Sequence, residues 1–132
     1  MIKAIIHTDG GARGNPGPSG IGAVVNINGT ENLYKEYIGT ATNNQAEYKA
    51  VILGLEKALA LGVTDVDFYL DSELVQRQLI GQYKVKNQDL APLFVKVWNL
   101  KQQFKQVKFH HVLREQNKKA DLLVNEAIDE AL

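Results

Sequence analysis

The chain contains no cysteine, so disulfides and thiolate-held metals are both excluded. An excess of charge of either sign is also missing, since 15 basic and 15 acidic side chains give a formal net charge of zero. A protein that grips nucleic acid by charge alone is usually basic throughout. Any such contact here is therefore expected to be local and modest in strength. No apolar run nears the roughly 18 residues of a membrane-spanning helix, and the N-terminus lacks the apolar core of a targeting signal. A cytoplasmic setting is expected on those grounds. Repeats, low-complexity tracts and linkers are absent too, and 132 residues suit one domain, residues 1–132, with a core of its own.

What is present is organised around Ile5-Ile6-His7-Thr8-Asp9-Gly10-Gly11. An apolar run ends in an acid and two glycines, which reads as a buried strand over 2–9 closed by a carboxylate. Residues 10–20 hold five glycines and two prolines and are expected to be loop. A second strand is expected over 21–27, and Asn28-Gly29 supplies a hairpin turn to a third over 33–39. A helix follows from Thr42 to Leu61, with Thr42/Gln45 or Asn44/Glu47 at capping-box spacing and Gly62 as its stop. Val66–Leu70 reads as a fourth strand, and Asp71-Ser72 caps a short helix ending near Gly81. After a basic connector, Tyr83 to Asn87, come a helix over 89–104 and a fifth strand over 106–112. Asn117 is expected to cap a last helix.

This order predicts an α/β fold: a mixed five-stranded sheet flanked by helices, antiparallel through its first three strands and parallel at the fourth and fifth. The first strand would be central. Asp9 and Asp71 would then emerge at the same end of the sheet, where connectivity changes direction and ligands bind. Glu47 lies on the apolar stripe of its helix with Ala50, Val51 and Gly54, and no basic residue shares that stripe. An ionised carboxylate in such a place needs a positive partner. Asp121 sits in the first turn of the last helix.

Each acid has an ordinary use as well: a capping box for Glu47, an N-cap for Asp71, a helix-dipole contact for Asp121, a turn for Asp9. Together they point to a hard cation held by oxygens, Mg²⁺ or Mn²⁺. Carboxylate-only clusters suit two-metal phosphoryl transfer. Taken alone, the residues lead to a metal-dependent phosphoryl-transfer enzyme or phosphate-ester hydrolase.

Four ordered motifs go further. Thr8-Asp9-Gly10-Gly11 with Gly14-Asn15-Pro16-Gly17-Pro18, Thr42 through Glu47, Leu70-Asp71-Ser72, and Arg114 through Asp121 resemble type 1 ribonuclease H over nearly the whole chain. The resemblance implies Mg²⁺-dependent cleavage of the RNA strand of an RNA–DNA hybrid, leaving 5′-phosphate and 3′-hydroxyl ends. It implies that Asp9, Glu47, Asp71 and Asp121 hold two metal ions, with Asp9 bridging them. It also implies that Asn15, Thr42, Asn43 and Asn44 meet the nucleic acid, and Gly10 and Gly11 would leave room for its backbone.

Two departures stand out. Arg114 occupies a loop where the family often has a histidine; arginine cannot shuttle protons but can hold phosphate. A compact branch of the family shares this Arg-Glu-x-Asn pattern. The connector at 83–87 replaces a longer basic protrusion, so hybrid binding is expected to be weak and salt-dependent, resting on Lys84, Lys86, Lys118 and Lys119. Double-stranded RNA is an alternative substrate, and a non-catalytic binding module a second alternative. His7, His110 and His111 are expected to be structural, Trp98 to pack in the core, and Glu73 to be a surface residue.

Overall fold

In the computed structural model, which describes residues 1–132, five strands form one sheet in the order β3-β2-β1-β4-β5. They are β1 (Lys3–Ala12), β2 (Gly17–Ile27), β3 (Thr30–Ala41), β4 (Asp65–Leu70) and β5 (Gln106–His111). The first three pair antiparallel, while β4 joins β1 in parallel and β5 joins β4 in parallel. This is the predicted arrangement, with β1 at the centre. Thr8 pairs with Leu70, so Asp9 and Asp71 follow the last paired rung as neighbours.

The helices are α1 (Asn43–Ala60), α2 (Glu73–Leu79), α3 (Ala91–Lys101) and α4 (Lys118–Ala131). None is long and apolar enough to cross a membrane. On one face of the sheet, α1 buries Tyr48, Val51 and Leu55 in a 19-residue core that includes Ile6, Val25 and Phe68. On the other face α4 lies so close to β2 that a Cβ at Gly22 would sit 2.7 Å from Leu123 Cβ and 2.8 Å from the Ala120 carbonyl.

That closeness corrects the expected loop over 10–20. β1 continues to Ala12 and β2 begins at Gly17, with Gly11 opposite Gly20 and Ala12 opposite Ser19. Only residues 13–16 lie outside the strands. Antiparallel pairing satisfies the backbone through the glycine-rich stretch, and several of the glycines serve helix-to-sheet contact rather than a turn.

Smaller corrections have similar causes. The box at the start of α1 is Thr42/Gln45, not Asn44/Glu47, so Glu47 falls one turn into the helix. Ser72, not Asp71, caps α2, its Oγ accepting from the Val75 N–H. At the start of α3, Asn87 Oδ1 accepts from the Asp89 and Leu90 N–H groups, holding 87–90 as a turn that delays the helix to Ala91. Trp98 is 52% exposed rather than in the core. Its indole lies beneath the Lys101 ammonium, 5.8 Å from the ring centre.

The histidines fit their structural reading. His7 and His110 stack on either side of Tyr69, and His110 pairs with Asp67 at 3.0 Å. His111 reaches the Asp71 carbonyl. Glu73 makes an exposed helical pair with Arg77.

Candidate active site

An open cleft of about 390 Å³ lies at the end of β1 and β4. All four predicted acids line it, together with Gly10, Gly11, Asn43, Asn44 and Arg114. The local cause is Gly10. A Cβ there would lie 2.2 Å from the Ala46 carbonyl oxygen and 2.7 Å from the Glu47 nitrogen, so only glycine lets α1 touch β1 at this level. That contact brings Glu47 against Asp9. The Gly10 N–H donates to both, 3.0 Å from Asp9 Oδ1 and 2.9 Å from Glu47 Oε1.

Asp9, Glu47 and Asp71 each offer a carboxylate oxygen, and these oxygens lie within 4.8 Å of one another. Asp9 and Glu47 are buried, at 8% and 7% exposure, and neither has an ion pair with a lysine or arginine. Burial pushes the Asp9 carboxyl up to about 7; the Asp71 and Asp121 charges act the same way, against the hydrogen bond from Glu47. Burial and then Asp9 hold Glu47 well above the usual carboxylate range. Asp121 stands apart from this trio. It is half-buried, with Arg114 Nη2 3.9 Å from its Oδ1. A set of carboxylate oxygens this close, with no cation of the protein's own, has the donor chemistry of a site for a hard divalent ion.

The remaining predicted residues divide. Asn44 faces the cleft and also an adjoining pocket that holds Asn15 and Thr42. Thr42 is engaged as the cap of α1. Asn15 Oδ1 accepts from the Asn43 N–H, and Asn43 Oδ1 accepts from the Ala12 N–H. With those oxygens taken, Asn15 and Asn43 have their NH₂ donors to offer a ligand. Arg114 is 83% exposed and reaches over the mouth of the cleft.

Two features escaped the sequence reading. Arg13 also lines the cleft, held by Asp129 at 2.7 Å and Asn125 at 3.4 Å. Asn117, expected as a cap, sits at the start of α4 but makes no capping bond. Its Nδ2 donates instead to the Thr8 carbonyl at 2.9 Å and to Asp71 Oδ2 at 3.2 Å. Nothing in the pattern of residues distinguished the two uses, because an asparagine before a helix reads as a cap in either case.

The sheet order and the carboxylate cleft at the end of its central strands define a ribonuclease H-like α/β protein. The reverse transcriptase-like family matches residues 7–127. Ribonuclease HI of Halobacterium salinarum is 42% identical over 95% of this chain and 64% of its own length. The bifunctional protein Rv2228c of Mycobacterium tuberculosis is 44% identical over 98% of this chain, which spans only 36% of that protein. Among solved structures, LC11-RNase H1 in complex with an RNA/DNA hybrid superposes with a TM-score of 0.92 at 46% identity, covering 97% of this chain and 98% of that one. The chain belongs to the type 1 ribonuclease H family.

Proposed function

We propose that this chain is a divalent-metal-dependent endoribonuclease that cuts the RNA strand of RNA–DNA hybrids, leaving 5′-phosphate and 3′-hydroxyl ends, with residues 1–132 acting as one catalytic domain. The observation that carries this reading is the carboxylate trio around Gly10, packed within 4.8 Å and unneutralised by any basic side chain. The hybrid bound to LC11-RNase H1 supports the choice of substrate.

Asp9, Glu47, Asp71 and Asp121 would hold two Mg²⁺ ions, for which Mn²⁺ can substitute. When bound, the ions supply an acidified water as nucleophile and positive charge against the leaving 3′-oxygen. Asp9 interacts with each of the other three acids, so it would take part in holding either ion. The Gly10 N–H holds Asp9 and Glu47 in place for this task. Arg114, exposed over the cleft, would take a backbone phosphate. The amide donors of Asn15, Asn43 and Asn44 suit the 2′-hydroxyls and base edges that an A-like duplex displays in its shallow minor groove.

The test is a cleavage assay with each strand of a hybrid labelled separately, and double-stranded RNA run beside it. With Mg²⁺, the RNA strand of the hybrid should be cut and the DNA strand left whole, and Asp71→Asn should reduce cutting to background. Cutting that persists in chelator, or no turnover at any Mg²⁺ or Mn²⁺ concentration, would overturn the proposal. Faster cutting of double-stranded RNA would reassign the substrate.

A further inference from the structure

Asn117 is a fully buried polar side chain, 1% exposed, placed where three segments of the site meet. It precedes α4, and its backbone carbonyl accepts from the Asp121 N–H at 3.1 Å. Its side chain joins the other two segments, through Thr8 of β1 and Asp71 after β4. Both side-chain partners are acceptors, a carbonyl and a carboxylate oxygen. The amide can therefore sit in only one of its two flipped orientations, with the NH₂ toward them. Its own Oδ1 is then left without a partner. A capping asparagine would turn its oxygen toward a helix N–H, and Asn117 does not. This one is held for its two donors.

We propose that Asn117 is a positioning residue that aims the Asp71 carboxylate for cation binding. By donating to Oδ2 it limits rotation of that carboxylate while leaving Oδ1 free of this bond. Through the Thr8 carbonyl it also ties the aim of Asp71 to the strand that presents Asp9. Groups that orient metal-holding side chains in this manner commonly influence affinity or activity by about 10–100-fold when lost. The inference rests on the metal-dependent reading above.

The test uses Asn117→Asp and Asn117→Ser. Both replacements keep a good residue for the start of a helix. The introduced carboxylate would carry no donor and would set a negative charge against Asp71, while a serine hydroxyl is too short to serve both acceptors. Mg²⁺ binding is measured by calorimetry without substrate, beside kcat and KM for hybrid, well below each variant's melting temperature. The expected result is at least about tenfold weaker Mg²⁺ binding and a comparable fall in kcat, with KM for hybrid within about twofold. Folded variants that match the wild type in Mg²⁺ affinity and kcat overturn the inference, even if they melt earlier. A wild-type protein that binds no Mg²⁺ overturns the functional reading itself. If neither variant folds, ¹⁵N-asparagine labelling of the wild type decides. The Asn117 NH₂ protons should exchange slowly and shift on adding Mg²⁺; free exchange and no shift overturn the assignment.

Discussion

Replacing Asp9 by asparagine should stabilise the metal-free protein, and the gain should depend on pH in a defined way. Asp9 is buried beside Glu47 and Asp71, and its carboxyl rises from 3.8 to about 7, chiefly through burial. Because the folded state holds this proton more tightly than the unfolded chain does, the side chain favours folding at acid pH. That contribution is fully present below about 4 and is lost as pH rises through about 7. At about 1.36 kcal/mol per pH unit, the loss reaches ~4 kcal/mol by pH 8. Asparagine keeps the shape and carries no charge, so it avoids that loss.

Wild type and Asp9→Asn should therefore melt together near pH 4 in chelator and separate steadily above it. With an unfolding entropy of roughly 2.1 cal/mol/K per residue, ~4 kcal/mol in a chain of 132 residues corresponds to ~14 °C in Tm at pH 8. Excess Mg²⁺ should narrow the gap, because a ligand at a hundred times its Kd stabilises by about 2.7 kcal/mol and the variant binds it less well. Thermal melts by circular dichroism from pH 4 to 8, with chelator and with Mg²⁺, supply the data. A variant no more stable than wild type at pH 8 in chelator, or a gain that does not vary with pH, would refute the electrostatic account.

Gly10→Ala should destabilise the protein by about 3 kcal/mol or more and abolish cutting, because the added methyl meets the Ala46 carbonyl at 2.2 Å. Gly11→Ala, whose methyl would rest 3.6 Å from Val124, should change stability by only about 0.5 kcal/mol; denaturant titrations of the two side by side check both. Arg114→Ala should leave stability within about 0.5 kcal/mol, since the side chain is 83% exposed. Hybrid binding, followed by fluorescence anisotropy in chelator, should weaken, and the slope of log K against log salt should become shallower by about one. An unchanged slope would remove Arg114 from the phosphate contacts.

The sheet was legible in advance because hydrophobic period, crossover length and one hairpin turn all agreed on it. Asp9 and Asp71 could be placed together because parallel neighbours bring equivalent ends to one side. Glu47 was legible from charge on an apolar stripe. What could not be read was contact at close range. A glycine that turns a chain and one that admits a helix are the same letter, and the second use depends on an element 36 residues away at Ala46. Asn117 was hidden for a related reason, because its partners, Thr8 and Asp71, are distant in sequence. Trp98 was misplaced because aromatic character alone does not say which face of a helix meets the core; only Val97 of α3 is buried.

These hidden contacts explain how the fold tolerates its own site. Asp9 and Glu47 are both buried and crowded together, so ionising both at once is costly. The Gly10 N–H bonds both carboxylates from the backbone, where it cannot move away without breaking the strand. Asn117 bonds Asp71 from the opposite helix. The core beneath, with Ile6, Phe68 and Tyr48 at 0% exposure, offsets the unfavourable charge. Asp121 is set apart: at 35% side-chain exposure it lies outside the 4.8 Å trio and faces Arg114. Two buried acids with two more open ones beside them suit the cation binding proposed above, and stability given up to such an end is a familiar feature of working sites.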